Sequence, residues 1–328
     1  MSWRRANPVC LALVTILALS AFGAERVHLA PKFSPGQTIR YRIESSSKST
    51  GKTTSPIVNP EGGSQSSDLV HMVVRLEVLN VSPDGSVRLR AIYEKSFAES
   101  QADALDLTAG SFASRYNRLE GRTFEFTLDI SGKVTGVQDL TAAAAGQSPK
   151  AIDPALSWMQ NVSSVAAVPK EGIAVGQKWK TEKPVEGAIL SGLITRGEST
   201  YLRNEPCGTS PASSADAQAD ATKPAAVAPA DDCAVILTQF EITRRGSARS
   251  DATPDDFRRN GLRTSGAWTG SGESLDSFSL ATGLLVSSTQ SSTQNMDYQI
   301  TSANTGSTIH HAGKVQSQSQ ITLTPTQP

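Results

Sequence analysis

Apolar and polar residues alternate with a period of two over long stretches of this chain, the spacing that sends every second side chain of an extended strand to the same face. Val70, Met72, Val74, Leu76 and Val78 share one such face, with His71, Arg75 and Glu77 on the other. Pro83-Asp84-Gly85 follows, a turn in which proline presets φ and glycine tolerates a positive φ. Val87, Leu89, Ala91 and Tyr93 then alternate against Arg88, Arg90 and Glu94, so residues 69–95 are predicted to form a hairpin with one buried face. A further strand places Phe124, Phe126, Leu128 and Ile130 inward against Thr123, Glu125, Thr127 and Asp129. It ends at Ile130-Ser131-Gly132, and Val134 begins the return. Residues 151–166 break the rule: Ile152, Ala155, Leu156, Met159 and Val162 recur at helical spacing behind Asp153-Pro154. They predict the one substantial helix, whose Trp158 and Met159 belong to an apolar stripe packed on the core.

The grammar of the chain repeats. Pro35-Gly36-Gln37-Thr38-Ile39 is answered by Val175-Gly176-Gln177-Lys178-Trp179, and the first hairpin by strands over 193–204 and 234–242, the latter alternating at Ala234, Ile236, Thr238, Phe240 and Ile242. Phe126 to Gly132 is likewise answered by Phe278 to Gly283. The shared order suggests two related halves. Where the first hairpin has its short turn, the second carries residues 205–232, dominated by Ala, Pro, Ser and Asp, a composition that buries too little apolar surface to fold alone. Residues 284–324 read as two polar strands broken near Asn304-Thr305-Gly306, expected to project past the core as a solvated hairpin. They lack the outward apolar band and aromatic girdles of an outer-membrane barrel.

The first residues alter the setting. Arg4 and Arg5 precede an uncharged apolar run from Val9 to Phe22 that ends in Ala21-Phe22-Gly23, the layout of a cleaved export signal over 1–23. The run is shorter than a membrane span needs, and Cys10 sits at its front rather than at the cleavage point of a lipoprotein. Removal of the leader takes Cys10 with it and leaves Cys207 and Cys233, which in an oxidising compartment pair most simply as a disulfide closing the insertion. The chain carries 31 basic and 31 acidic residues and no basic stripe, which excludes an electrostatic reading as a binder of nucleic acid or anionic membrane.

No catalytic constellation emerges. The four histidines are His28, His71, His310 and His311; the adjacent pair faces opposite ways on a strand and cannot jointly grip a metal. Gly270-Ser271-Gly272 lacks the strand-to-helix context of a phosphate cradle and reads as a turn. Asp231-Asp232 and Asp255-Asp256 lack the alternating acidic framework of a calcium loop and read as solvated loop residues. Asn80-Val81-Ser82 and Asn161-Val162-Ser163 match the glycosylation sequon by its frequent short pattern. No cofactor, metal ligand, catalytic residue or ligand-binding residue is assigned.

Pro169 to Trp179, with its proline, apolar pair, Gly176 and Trp179, and Thr123 to Val134 running into a glycine-centred turn, resemble exported bacterial proteins of a domain-of-unknown-function family. The first half departs from that pattern at Ile39, where a tryptophan is expected. The resemblance implies a bacterial envelope setting and brings no activity or functional residues.

The expectation is a mainly β protein with antiparallel curved sheets in two related halves and one substantial helix between them. Its parts are a signal peptide at 1–23, a first β-rich half at 24–148, a helical connector at 149–168 and a second β-rich half at 169–328. The mature protein is expected in the periplasm or outside the cell, with no membrane span after leader removal. Its expected role is that of a non-enzymatic envelope protein binding an apolar or amphipathic ligand, a lipid for example, on its curved sheets. The alternative is a structural or protein-interaction module that offers strand edges or the Cys207–Cys233 loop to another envelope protein.

Overall fold

The computed structural model describes residues 26–54, 63–102, 109–130, 132–143, 158, 168–185, 188–207, 231–244, 247 and 250–325. Period-two alternation becomes eleven strands: β1 (Thr38–Thr54), β2 (Gly63–Val81), β3 (Val87–Ala102), β4 (Thr123–Leu128), β5 (Val134–Asp139), β6 (Lys178–Pro184), β7 (Leu193–Pro206), β8 (Asp232–Arg244), β9 (Leu262–Ser279), β10 (Leu285–Ser302) and β11 (Thr308–Thr324). The described helices are short: α1 (Ala109–Asn117), α2 (Leu140–Ala143) and α3 (Asp255–Arg259). All strands join one open antiparallel sheet in the order β5-β4-β3-β2-β1-β11-β10-β9-β8-β7-β6.

That order corrects the expectation of two halves. The C-terminal strands do not project into solvent; β11 pairs with β1 from Arg40↔Thr324 to Thr54↔His310 and with β10 on its other side, so the most polar strands form the seam of the sheet. Ladder hydrogen bonds use the backbone, and a strand polar on both faces pairs as well as an apolar one. What the two segments share is local. Gly36 N donates to Val78 O and Val78 N to Gln37 O; Gly176 N donates to Tyr201 O and Tyr201 N to Gln177 O. In both turns the Gln side chain accepts a backbone N–H three residues earlier, and the glycine takes a φ near +80° (79° and 83°).

The expected hairpin is present with longer strands, and its alternation holds: Val70, Met72, Val74, Leu76 and Val78 are buried beside Val87, Leu89, Ala91 and Tyr93. We call the face they occupy the inner face. Ile130 corrects the expectation for β4. The strand stops at Leu128, Asp129 N bonds Lys133 O, and Ile130 is left at the turn, 71% exposed. Of the predicted helix over 151–166 only Trp158 is described, in helical conformation; the remainder lies outside the described residues, as do the leader at 1–23, residues 208–230 of the insertion and Asn161. Trp158 is buried in the core, its indole N–H donating to Tyr93 Oη at 2.9 Å.

The main core lies on the inner face, where Tyr41, Val74, Leu89 and Phe126 meet Leu29, Leu119, Trp158 and Ile173 from segments laid across the sheet. The segment before β1 is a strap: Val27 bridges Ile173 ahead of β6, and Lys32 N bonds Thr282 O in the β9–β10 turn. A Cβ on Gly283 would stand 2.2 Å from Ala30 O, so the strap can lie this close only because that turn ends in glycine. A smaller cluster of Leu190, Leu193 and Ala252, backed by Ile242, Trp268 and Tyr298, caps another stretch of the inner face.

Candidate functional site

Continuous registers allow cross-strand neighbours on the outer face to be followed from strand to strand. One rung begins at Leu69 on β2 and runs through Ser46, Gln318, Ser291, Glu273, Gln239 and Glu198 to Lys180 on β6. Two residues along each strand in one direction lie Glu44, Gln320, Thr289, Leu275 and Leu237; in the other lie Lys48, Gln316, Thr293, Ser271, Glu241 and Arg196. Lys48 on β1 and Lys180 on β6 border one cavity although six strand spacings separate them, roughly 29 Å in a flat sheet. The sheet therefore curls into a trough.

The trough has two characters. Its polar part, about 1090 Å³, is lined by serine, threonine and glutamine rungs with Lys48, Lys180, Arg196, Glu198, Glu241 and Glu273. An adjoining part of about 570 Å³ brings together Leu69, Leu237 and Leu275 with Glu44 and Glu273 at its border. Leu69 and Leu275 are 46% and 37% exposed, and a large apolar side chain at such a concave position has surface left to bury. Lys178 pairs with Glu198 at 3.2 Å, Arg196 with Glu182 at 2.9 Å and His71 with Glu44 at 3.3 Å. Lys48, Lys180, Glu241 and Glu273 make no ion pair among the described residues. A surface that is apolar at one end and carries hydroxyls, amides and charges of both signs at the other can cover an amphipathic molecule along its length.

Charges on β1 to β4 are spent differently. Arg40, Arg75, Arg88 and Arg90 interlock with Glu77, Glu94 and Glu125. Glu125, expected to face solvent, is buried; the hydrogen bond from Arg90, then the pairing with Arg88, holds its carboxyl below the usual range against the cost of burial.

A second concavity of about 310 Å³ opens on the inner face of β6 to β10, bounded by Trp179, Ile236, Phe240, Ile242, Asp276 and Phe278. Gly270-Ser271-Gly272, expected as a turn, lies in the middle of β9. Phe240 is registered between Gly197 and Gly272, and a Cβ on Gly272 would come within 2.5 Å of the ring's Cζ. Gly272 thus leaves room for the ring to lie across the neighbouring strand. Asp276 sits between Ile236 and Ser288 and accepts from Ser274 Oγ at 2.9 Å and from Ser288. Burial pushes its carboxyl above the usual range, against the two serine hydrogen bonds.

The residues singled out by sequence are scattered. Cys207 and Cys233 form the expected disulfide, and Cys207 N bonds Asp231 O beside it. Strand pairing continues to Glu205↔Cys233 and Pro206↔Asp232, so the ends of the expected insertion belong to the sheet. Asp231 is not a solvated loop acid; it accepts from Ser279 Oγ and from Ala281 N, fixing the β9–β10 turn. His310 and His311 do face opposite ways, but neither is isolated: His310 meets Asp297 at 2.7 Å, while His311 meets Thr53 Oγ1 at 2.9 Å and packs on Tyr298. Asp255 and Asp256 open α3. Leu69, Leu237 and Leu275 carried a readable signal, since each is an apolar residue out of phase with its strand's buried set. The rungs that unite them were invisible without the strand order.

No protein-family model and no curated protein matches the chain. Among solved structures, lipovitellin, from work on its lipid–protein interactions, is similar at 11% identity and a TM-score of 0.43; the match covers 90% of this chain, which spans 26% of the lipovitellin chain. An outer membrane channel from Pseudomonas putida F1 is similar at 7% identity and a TM-score of 0.25, covering 90% of this chain and 97% of the channel. The outer membrane protein OprG from Pseudomonas aeruginosa is similar at 9% identity and a TM-score of 0.17, covering 91% and 100%. At these scores the likenesses add nothing to the assignment of a site. Among the described residues no helix is long and apolar enough to cross a membrane.

Proposed function

We propose that this chain is an exported, non-enzymatic protein of the bacterial cell envelope that binds an amphipathic ligand in the outer trough of its sheet. The observation that carries the reading is the meeting of Leu69, Leu237 and Leu275, from three strands, at one end of a trough otherwise lined by polar rungs. The ligand's apolar part lies on the leucines and its polar part runs along the serine, glutamine and charged positions. Export is supported by the leader pattern of residues 1–23 and by the disulfide, which persists in oxidising compartments.

Covering a half-exposed leucine such as Leu69 or Leu275 contributes about 1 kcal/mol, roughly fivefold in affinity, and Leu237, already partly covered, contributes less. Titration of the purified protein with N-phenyl-1-naphthylamine, a neutral probe that brightens in apolar surroundings, is expected to saturate. Leu237→Asp with Leu275→Asp should abolish that signal while leaving the fold intact by circular dichroism. Native mass spectrometry of protein taken from its own periplasm should show a co-purifying amphiphile. An unchanged titration in the doubly substituted protein would overturn the reading.

A further inference from the structure

The inner cavity opens on the face opposite the trough, with Gly197, Phe240, Ser274 and Gln290 bordering both, and has its own chemistry. Asp276 lies on its wall with only hydroxyl partners, Ser274 and Ser288, and among the described residues no Lys, Arg or His pairs with it. The nearest rung holds Ser274, Thr238, Ser199 and Trp179. The Trp179 indole Nε1 is buried with no hydrogen-bond partner among the described residues, at a wall three strand spacings from Asp276, roughly 14 Å. Phe240 and Ile236 supply apolar surface between them. Lys183 borders the cavity too, but on the register it lies three rungs from Asp276, roughly 20 Å along the strands, too far to neutralise it.

A carboxylate in a desolvated, half-apolar cavity is stabilised most by a cation brought in with its own apolar body, because the charge-assisted hydrogen bond forms where water competes least. We propose that the inner cavity is a second binding site, for an apolar ligand bearing a primary ammonium group that pairs with Asp276. Ser274 and Ser288 hold the carboxylate in place, Phe240 and Ile236 cover the ligand's body, and Trp179 offers its N–H to an acceptor farther along it.

Calorimetric titration of the full mature protein with octylammonium, octanol and octanoate tests the site. Octylammonium should bind about tenfold more tightly than octanol, and octanoate most weakly, one charge-assisted hydrogen bond being worth about that factor. Asp276→Asn should erase the preference for the amine and leave octanol binding unchanged; in protein whose trough is disabled by Leu237→Asp with Leu275→Asp, the preference should persist. Asp276→Ser provides the same comparison if the asparagine variant folds poorly. The site is refuted if octanol or octanoate binds as tightly as the amine, if none of the three binds, or if the amine preference survives both Asp276 substitutions. Loss of that preference in the trough-disabled protein would place the amine in the trough and equally refute the site. Because the naphthylamine titration reads the trough, failure here leaves that reading standing.

Discussion

Replacing Cys207 and Cys233 together by alanine tests how the sheet tolerates a long excursion between β7 and β8. The bond joins residues 26 apart in sequence. Restricting the unfolded chain by a loop of that length is worth about 3.5 kcal/mol in the chain-entropy account, and truncating the buried Cys233 side chain adds to the loss. The folded ends need little from the bond, because Glu205↔Cys233 and Pro206↔Asp232 already pair and Cys207 N already bonds Asp231 O. The decisive comparison is therefore a second background in which residues 209–230 are replaced so that the cysteines lie about six apart. There the same account leaves the bond worth about 2.2 kcal/mol. Urea unfolding of the two backgrounds, each with and without the cysteines, measures both losses, and reduced wild type controls for the alanine substitutions. A loss below about 1 kcal/mol in the full-length protein would refute the reasoning. So would a loss in the shortened protein equal to or larger than that in the full-length one.

Gly272→Ala should destabilise by about 1–3 kcal/mol in thermal unfolding, since the new methyl meets Ser291 O at 2.3 Å as well as the Phe240 ring; a change below about 0.5 kcal/mol would show that the ring does not depend on the glycine. Asp276→Asn should stabilise the protein at neutral pH. Its folded carboxyl titrates above the unfolded value, so the cost of burying the charge is absent in acid and grows as the pH rises through that interval. The difference in melting temperature from wild type should therefore vanish near pH 3, and a difference independent of pH would refute the cause. Glu125→Gln carries the opposite sign. Its carboxyl is held low, chiefly by Arg90, so the stability it contributes is present above the unfolded value and lost as pH falls through the folded one; the variant should be weaker than wild type at neutral pH and equal to it in strong acid.

Much of the secondary structure was legible because burial on one face writes a period of two. The runs Val70 to Val78 and Val87 to Tyr93 have no other good reading, and both fell where expected. Failures came where backbone geometry or a neighbour outweighed the side chain's own preference. Ile130 follows the alternation but sits past the point where Asp129 turns the chain. Glu125 is as polar as its strand mates on that face and is buried by two arginines from β3. Gly270-Ser271-Gly272 looks like a turn locally, yet β8 and β10 pair with it on both sides, and Gly272 makes room for a ring borne by β8.

The candidate site was less legible for a different reason. Alternation tells which face a residue occupies, whereas a concavity depends on which strands are neighbours and how strongly the sheet bends. Leu69 and Leu237 are 168 residues apart in sequence and five strands apart in the sheet, and they share a pocket only because β11 is inserted beside β1 and the sheet curls between them. The same topology weighs against a module that recruits partners through its edges. The edge strands are β5 and β6, six and seven residues long. Lys178, Lys180, Glu182, Lys183 and Pro184 on β6 are features that discourage strand addition, and Gly136 interrupts β5. The long strands with the most polar sequences are enclosed between neighbours on both sides, so their unusual composition is displayed as surface within the trough rather than as unpaired backbone. The short edges and the two-character middle of the sheet support the proposal that the trough, rather than an edge strand, takes the ligand.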